Sequence, residues 1–385
     1  MQEMTARQVL DQLVSFPTVS RASNLDLIDW LEGYLTAQGI TCHRDWNEDR
    51  TKAALFAHVG PWQDGGVLLS GHSDVVPVDG QDWTSDPWIV TERDGRLYGR
   101  GTCDMKGYVA LSVWALVAAH KRGVQRPLQL ALSYDEEIGC TGAPPMIAAL
   151  QKTLPQASAA VIGEPSRMAL INGHKGGTGF KVHVKGFEVH SSLLPYGVSA
   201  IMEAARLIGW INSKNAEIQA RPVAPQAAGF TPPFTTLHVG MISGGTAHNI
   251  TAADCNFVVE MRVVPSDDLT ALANAFEAEA ERLDAALKAV HPDAGVTLTR
   301  FFDVPALKPE TDGAAEHLVR RLTGANAAGV VSYGTEAGQF QDAGYSAVIC
   351  GPGDIAQAHQ PDEYLELSEF QAGERFMQAL LDDLA

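Results

Sequence analysis

LQLALSYDEEIGCTG, residues 128 to 142, opens as an apolar strand and closes on three consecutive carboxylates, Asp135, Glu136 and Glu137, before a glycine. The ordinary reading of acids at a strand end is a solvated turn, because charged side chains avoid burial unless something pairs with them. The sharper reading is a cation site, and it requires partners elsewhere in the chain. Two further apolar runs, GVLLSGH at 66–72 and AAVIGE at 159–164, also read as strands, with helical stretches SNLDLIDWLEGYLTAQG at 23–39 and GYVALSVWALVAAHKRG at 107–123 around them. Strands alternating with helices describe a sheet flanked by helices, so this part of the chain is expected to be an α/β domain.

From Gly179 the order changes. Strand FKVHVKG is followed by helix SAIMEAARLIGWINS, strands TTLHVGMISGG and CNFVVEMRVVP, helix DLTALANAFEAEAERLDAALKAV and strand VTLTRFF. This β-α-β-β-α-β order predicts a small ferredoxin-like α+β sandwich. After DVPALKP the α/β character returns with AAEHLVRRLTG and AVICGPG. The expected organisation is therefore one α/β domain from 1–176 and 304–385, interrupted by an inserted unit at 177–303. RPVAPQAAGFTPP, from Arg221, reads as a proline-rich loop, and no internal repeat or low-complexity tract is present.

With 385 residues, 45% of them hydrophobic, the chain is long enough to bury a large core. Thr5, ahead of apolar Val9, Leu10, Leu13 and Val14, predicts a capped amphipathic helix where an export signal would otherwise begin. YVALSVWALVAA, from Tyr108, is too short for a membrane span. Five widely spaced cysteines with no CxxC pair argue against a disulfide framework and fit a reducing cytoplasm. A formal net charge of −18 offers no footprint for nucleic acid or an anionic membrane, so neither is expected as a partner.

Partners for the acids at 135–137 are available. GVLLSGHSDVVP places His72 and Asp74 two apart, on one face of a strand end, where Asp74 can orient the imidazole or bond a partner that does. YGRGTCDMKG sets Asp104 among Gly99, Gly101 and Gly107. AAVIGEPS stops on Glu164, and AQAHQPDEY supplies His359. Each alone reads more simply as a cap, a turn or a loop residue. Together they put acids and histidines at several strand and turn ends of an α/β domain, where such folds hold ligands. In one consistent assignment His72, Asp104, Glu137, Glu164 and His359 bind two divalent ions, whose charge the three carboxylates and one hydroxide balance. Glu136 then remains beside the site, provided a turn at EEIG brings neighbouring side chains to one side. Cys103 and Cys140 are expected to be buried small hydrophobes rather than thiolate ligands.

GHSDVVPV, GRGTCDMKG, YDEEIGCTG, GEPS and AHQPDEY, in this order and across nearly the whole chain, resemble the motifs of the co-catalytic zinc metallopeptidase and deacylase family. The resemblance implies that Asp104 bridges two zinc ions, for which Co²⁺ can substitute, with a cis peptide to Met105. His72 and Glu164 would complete one metal, Glu137 and His359 the other, and Glu136 would be the general base. It further implies a homodimer in which His190 of the inserted unit reaches the partner's site to stabilise the oxyanion, while Arg262 and Asn249 bind a substrate carboxylate. Ser199 stands where relatives often carry asparagine.

SYGTEAGQFQDAG, from Ser332, resembles deacetylases of the family more than desuccinylases, and Glu336 offers a counter-charge for a substrate ammonium group. N²-acetyl-L-ornithine is accordingly the first expectation among small N-acyl amino acids, with succinyl-diaminopimelate as the runner-up. A bilobed solute-binding protein without chemistry would share the outline, but Glu136 beside five candidate ligands speaks against it. A nucleotide-dependent enzyme is set aside because GHKGGTG lacks the GxxxxGK[ST] order and no GxGxxG opens a helix after a strand.

Overall fold

The computed structural model describes residues 2–385 and divides into two units. The first comprises Met1–Gly173, Leu307–Val330 and Thr335–Ala385. Its opening helix, Ala6–Val14, starts where the sequence predicts, because Thr5 accepts the Gln8 amide while the Gln8 side chain takes the Thr5 N–H. Val9, Leu10, Leu13 and Val14 are all fully buried on its inner face.

The core of this unit is an eight-stranded mixed sheet in the order Cys42–Trp46, Ala53–Val59, Leu128–Ser133, Val67–His72, Ala159–Pro165, Ala347–Gly351, Ile171–His174, Gly329–Val331. Val67–His72 lies at its centre and pairs in parallel with a neighbour on each side, Leu69 facing both Leu130 and Val161. Ala347–Gly351 continues the parallel set beside Ala159–Pro165. Four adjacent strands therefore end on the same edge of the sheet, and their ends lead into the segments carrying His72, Glu136 and Glu137, Glu164 and His359. Helix Lys106–Arg122 covers this sheet and is buried along nearly its whole length, ending at Gly123 in the left-handed conformation. Each Leu or Val it buries, such as Leu111, Val113 and Leu116, contributes about 1.5–3 kcal/mol. A small three-stranded sheet, Tyr364–Glu366, Arg96–Tyr98 and Thr91–Arg93, ties the segment before Asp104 to the one after His359.

The second unit comprises His174–Ala306 and Val331–Gly334. Strand Gly176–Lys185, helix Ala200–Gln219, strands Thr236–Gly244 and Asp254–Val263, helix Leu269–Val290 and strand Gly295–Val304 follow in order. The four strands form one antiparallel sheet with Gly176–Lys185 and Asp254–Val263 inside and the other two at the edges. Phe180, Val182, Val184, Phe257 and Val259 turn inward to the helices. The sequence assigns residues 331–334 to the α/β domain, whereas the structure groups them here: the Ser332 hydroxyl donates to the Thr231 carbonyl at 2.9 Å and accepts the Thr231 N–H.

All five cysteines are free, and among the described residues no helix is long and apolar enough to cross a membrane.

Candidate metal centre

The strand ends converge in the first unit. His72 Nε2 lies 3.1 Å from Asp104 Oδ1 and 3.7 Å from Glu164 Oε1, while His359 Nε2 lies 3.4 Å from Asp104 Oδ2 and 3.0 Å from Glu137 Oε2. Asp104 thus turns one oxygen towards each imidazole. Ligand atoms of His72, Glu136 and Glu164, and of His72, Asp104 and Glu137, lie within 4.8 Å of one another. His72, Asp104 and Glu164 are buried and Glu136 and Glu137 half-buried, whereas the His359 side chain is 47% exposed.

The turn that EEIG requires is formed: the N–H groups of Gly139 and Cys140 both donate to the Glu136 carbonyl. It is approached through Asp135, which adopts a left-handed φ of 56° that a non-glycine residue rarely holds without support. The support is the Lys52 ammonium, 2.6 Å from the Asp135 carboxylate, together with the Arg21 N–H. Asp135 is therefore an anchor, not a ligand. Asp74 is the second anchor. The His72 ring meets the Asp74 backbone carbonyl at 2.9 Å, while the Asp74 carboxylate accepts the N–H groups of Glu136 and Glu137 and the Ser20 hydroxyl. Of the two roles open to Asp74 from sequence, its carboxylate acts chiefly on the acid turn. Cys140 and Cys103 are buried, and the Cys140 thiol in addition donates to Glu136 Oε1 at 3.2 Å.

The electrostatics follow from crowding acids out of water. Burial pushes the Glu136 carboxyl up to about 8, and the charges of Glu137, Asp104 and Asp74 add to it. Burial, followed by the Asp104 charge, raises Glu137 to about 7, and burial likewise raises Glu164. Asp104 is the exception: burial works to raise it, but hydrogen bonds from His359 and His72 hold it well below the usual carboxylate range. Hydrogen bonds to Asp104 and Glu137 push His359 up to about 10. His72 ends well above its ordinary value, because Asp104 and the charges of Glu164, Asp74 and Glu136 overcome its desolvation. In this arrangement the imidazoles carry the positive charge that the acids demand. Glu137 Oε1 and Glu164 Oε1 are nevertheless buried with no hydrogen-bond partner. A set of imidazoles and carboxylates with orphaned oxygens fits a pair of divalent cations.

Glu336 is not on an exposed loop. It caps the short helix Ala337–Asp342, is 1% exposed, accepts the Ser133 hydroxyl, and is raised by burial to about 8. Its Oε2 has no hydrogen-bond partner, and the charges of Glu136, His72 and Asp74 act on it, so Glu336 is a buried acid beside the site.

The remaining expected residues belong to the second unit. His190 Nδ1 accepts the Ser192 N–H and meets the Ser192 hydroxyl at 2.8 Å, and the Ser191 N–H donates to the Asn249 carbonyl. Arg262 is half-exposed and paired with Glu260 at 2.5 Å. His190 and Asn249 lie beyond the Asp254 end of strand Asp254–Val263, whereas Arg262 lies at its other end. The eight residue steps from Asp254 to Arg262 span about 26 Å at a strand's rise of about 3.3 Å per residue. Within one chain, Asn249 and Arg262 therefore do not share one small carboxylate, contrary to the simplest form of the expectation.

Residues that sequence reasoning missed are Lys52, Arg100 and Glu363. The last two sit inside the motifs GRGTCDMKG and AHQPDEY, where a buried ion pair joins them at 2.6 Å.

The family model for peptidase family M20/M25/M40 matches residues 68–383. A curated acetylornithine deacetylase of Myxococcus xanthus is 35% identical over 375 residues, covering 94% of this chain and 93% of that protein. One of Salmonella arizonae is 34% identical over 372 residues, covering 93% and 92%. Among solved structures, an M20 family metallo-carboxypeptidase of Sulfolobus solfataricus superimposes with a TM-score of 0.78 at 16% identity over 99% of each chain. A dinuclear metal binding peptidase of the M20 family from Bacillus subtilis does so with a TM-score of 0.61 at 14% identity over 98% of each chain.

Proposed function

The chain belongs to peptidase family M20/M25/M40 and is a metal-dependent amidohydrolase, and from that premise we propose that it hydrolyses N²-acetyl-L-ornithine to L-ornithine and acetate, a step towards arginine in the cytoplasm. The observation that carries the reading is the division of Asp104 between two imidazoles, His72 on one oxygen and His359 on the other. In this proposal His72, Glu164 and Asp104 hold one ion, and Asp104, Glu137 and His359 the other. Zn²⁺ suits a set of imidazoles and carboxylates, and Co²⁺ can replace it. When bound, such a pair polarises an amide carbonyl and lowers the pKa of an adjacent water.

The chain's own residues do the rest. As the water oxygen bonds to the amide carbonyl carbon, Glu136 takes one of its protons and passes it to the departing amine nitrogen while the C–N bond breaks; the proton of the new carboxyl group also ends on that nitrogen, so the products are acetate and an ammonium group. The Cys140 thiol and the amide bonds to Asp74 fix where that carboxylate stands. Arg262 is proposed to meet the substrate α-carboxylate in a charge-assisted pair. His190 and Asn249 of the partner subunit complete the site from the far end of the second copy's sheet.

The substrate assignment rests on the curated relatives, both named acetylornithine deacetylase. Chelator-stripped enzyme, reconstituted with Zn²⁺ or Co²⁺, is to be assayed on N²-acetyl-L-ornithine, N-acetyl-L-methionine and N-succinyl-diaminopimelate. The expected order places acetylornithine highest in kcat/KM. A higher value for the succinyl compound overturns the assignment, and hydrolysis unaffected by stripping overturns the chemistry.

A further inference from the structure

Glu363 and Arg100 are each about 1% exposed in side chain, and no part of the reaction above uses them. One Glu363 oxygen takes the Arg100 guanidinium at 2.6 Å. The other accepts three backbone N–H groups, from Gly101 and Cys103 at 3.0 Å and from Asp104 at 3.1 Å. Arg100 extends the network to the other side of the site, donating to the Gln360 carbonyl at 3.3 Å and to Gln81 Oε1 at 2.5 Å. Gln81 Nε2 in turn donates to the His359 carbonyl at 2.9 Å. The Gly99 N–H donates to the Glu363 carbonyl, and the Asp362 carboxylate accepts the Thr84 N–H and hydroxyl.

Stability alone does not account for this cluster. Desolvating an arginine and a carboxylate costs several kcal/mol per ion, and well-packed apolar residues serve folding as well or better. A buried pair of this kind specifies geometry instead. Three of these bonds end on the backbone of the Gly99–Asp104 turn, and two others reach the carbonyls of His359 and Gln360. His359 itself sits at a φ of 64°, in the left-handed region, and so needs its neighbours to hold it there.

We propose that Glu363 and Arg100 are positioning residues that lock the Asp104 turn and the His359 turn to one another, so that Asp104 Oδ2 and His359 Nε2 stand ready for a shared cation before it arrives. The inference rests on the reading that Asp104 and His359 are metal ligands. Removing the Glu363 charge leaves the His72–Glu164 contact in place and loosens the pair on the His359 side.

The test is a titration of stripped protein with Zn²⁺ against a chromophoric chelator, with the visible Co²⁺ spectrum and the metal-free thermal midpoint recorded alongside. Glu363→Gln is expected to weaken one of two metal equivalents by about 10- to 100-fold, as outer partners of ligands typically do. It should also alter the Co²⁺ bands and lower kcat while KM stays near the parent value. Gln81→Ala, which removes the link to His359 without opening the buried pair, should weaken the same equivalent to a lesser degree and carries the test if Glu363→Gln does not fold. Parental affinity for both equivalents and an unchanged Co²⁺ spectrum in these variants overturn the proposal. Asp104→Asn in the same titration separates the two readings. If it retains both metals, the ligand assignment fails; if it loses metal while the Glu363 and Gln81 variants do not, only the positioning role fails.

Discussion

Glu136 and Glu137 are chain neighbours, yet their surroundings separate their work. Glu137 faces the His359 imidazole at 3.0 Å, whereas Glu136 takes only a thiol, at 3.2 Å, and lies deep enough to be pushed up to about 8. A carboxyl raised from the ordinary range towards neutrality is a stronger base than a free glutamate and can still return its proton. Glu136→Gln is therefore expected to keep two metals per chain while kcat falls by about 10² to 10⁴, and Glu137→Ala to lose metal and activity together. Metal content measured beside steady-state kinetics checks both, and a metal-free Glu136→Gln would reverse the division of labour. Asp135, the first acid of the run, was as visible in the sequence as the other two. Its left-handed backbone and its bond to Lys52, which lies 83 positions away, were not, because both depend on tertiary neighbours. The burial of Glu336 was hidden for a related reason: the short helix that follows it packs inside the unit and brings its carboxyl to the Ser133 hydroxyl, 203 positions away.

At the scale of elements the apolar runs were legible, because a strand covered on both faces needs no alternation and announces itself by hydrophobicity alone. GVLLSGH, LQLALS and AAVIGE become three adjacent parallel strands, and the acids and histidine that end them meet on one edge. What the runs did not reveal is how closely the cover must approach. An added Cβ at Gly163 would come within 1.9 Å of the Tyr108 ring, whose hydroxyl donates to the Val161 carbonyl at 2.9 Å. Tyr108 opens the helix that follows Asp104, and Gly163 precedes Glu164, so one contact governs two candidate ligands. Gly163→Ala should cost about 1–3 kcal/mol or more, the usual penalty of overpacking, and should weaken metal binding as Glu164 shifts. Gly209→Ala is the control: it lies in helix Ala200–Gln219 with nothing within 4 Å of the added methyl, and should be neutral or gain up to about 1 kcal/mol. Denaturant unfolding of both variants decides the matter, and a Gly163→Ala as stable as the parent would mean that the helix yields freely.

For the molecule as a whole, the second unit raises the question of how many chains make one site. Strand Thr236–Gly244 is paired on one side only, and Met241 and Ile242 along it are 70% and 56% exposed, which is an edge that a soluble chain ordinarily protects. His190 and Asn249 lie beyond the Asp254 end of the inner strand and Arg262 near its other end, about 26 Å from Asp254 by strand rise, too far to grip one amino acid from one copy. The proposed two-fold pair of chains would answer both facts, because an isologous contact along the edge strand would cover it and a second copy would supply the His190 end. The proposed dimer therefore has sites built from two chains, and it is tested by complementation. His190→Ala and Glu136→Gln are each expected to be nearly inactive as pure proteins. In a mixed dimer, the chain carrying His190→Ala keeps its own Glu136 and receives His190 of the partner subunit, so one of its two sites is whole. With free exchange, about half the dimers are mixed, and activity should return to about a quarter of the parent's. Mixed dimers isolated by two different affinity tags that remain inactive would show that each chain completes its own site, and the exposed edge would then need another explanation.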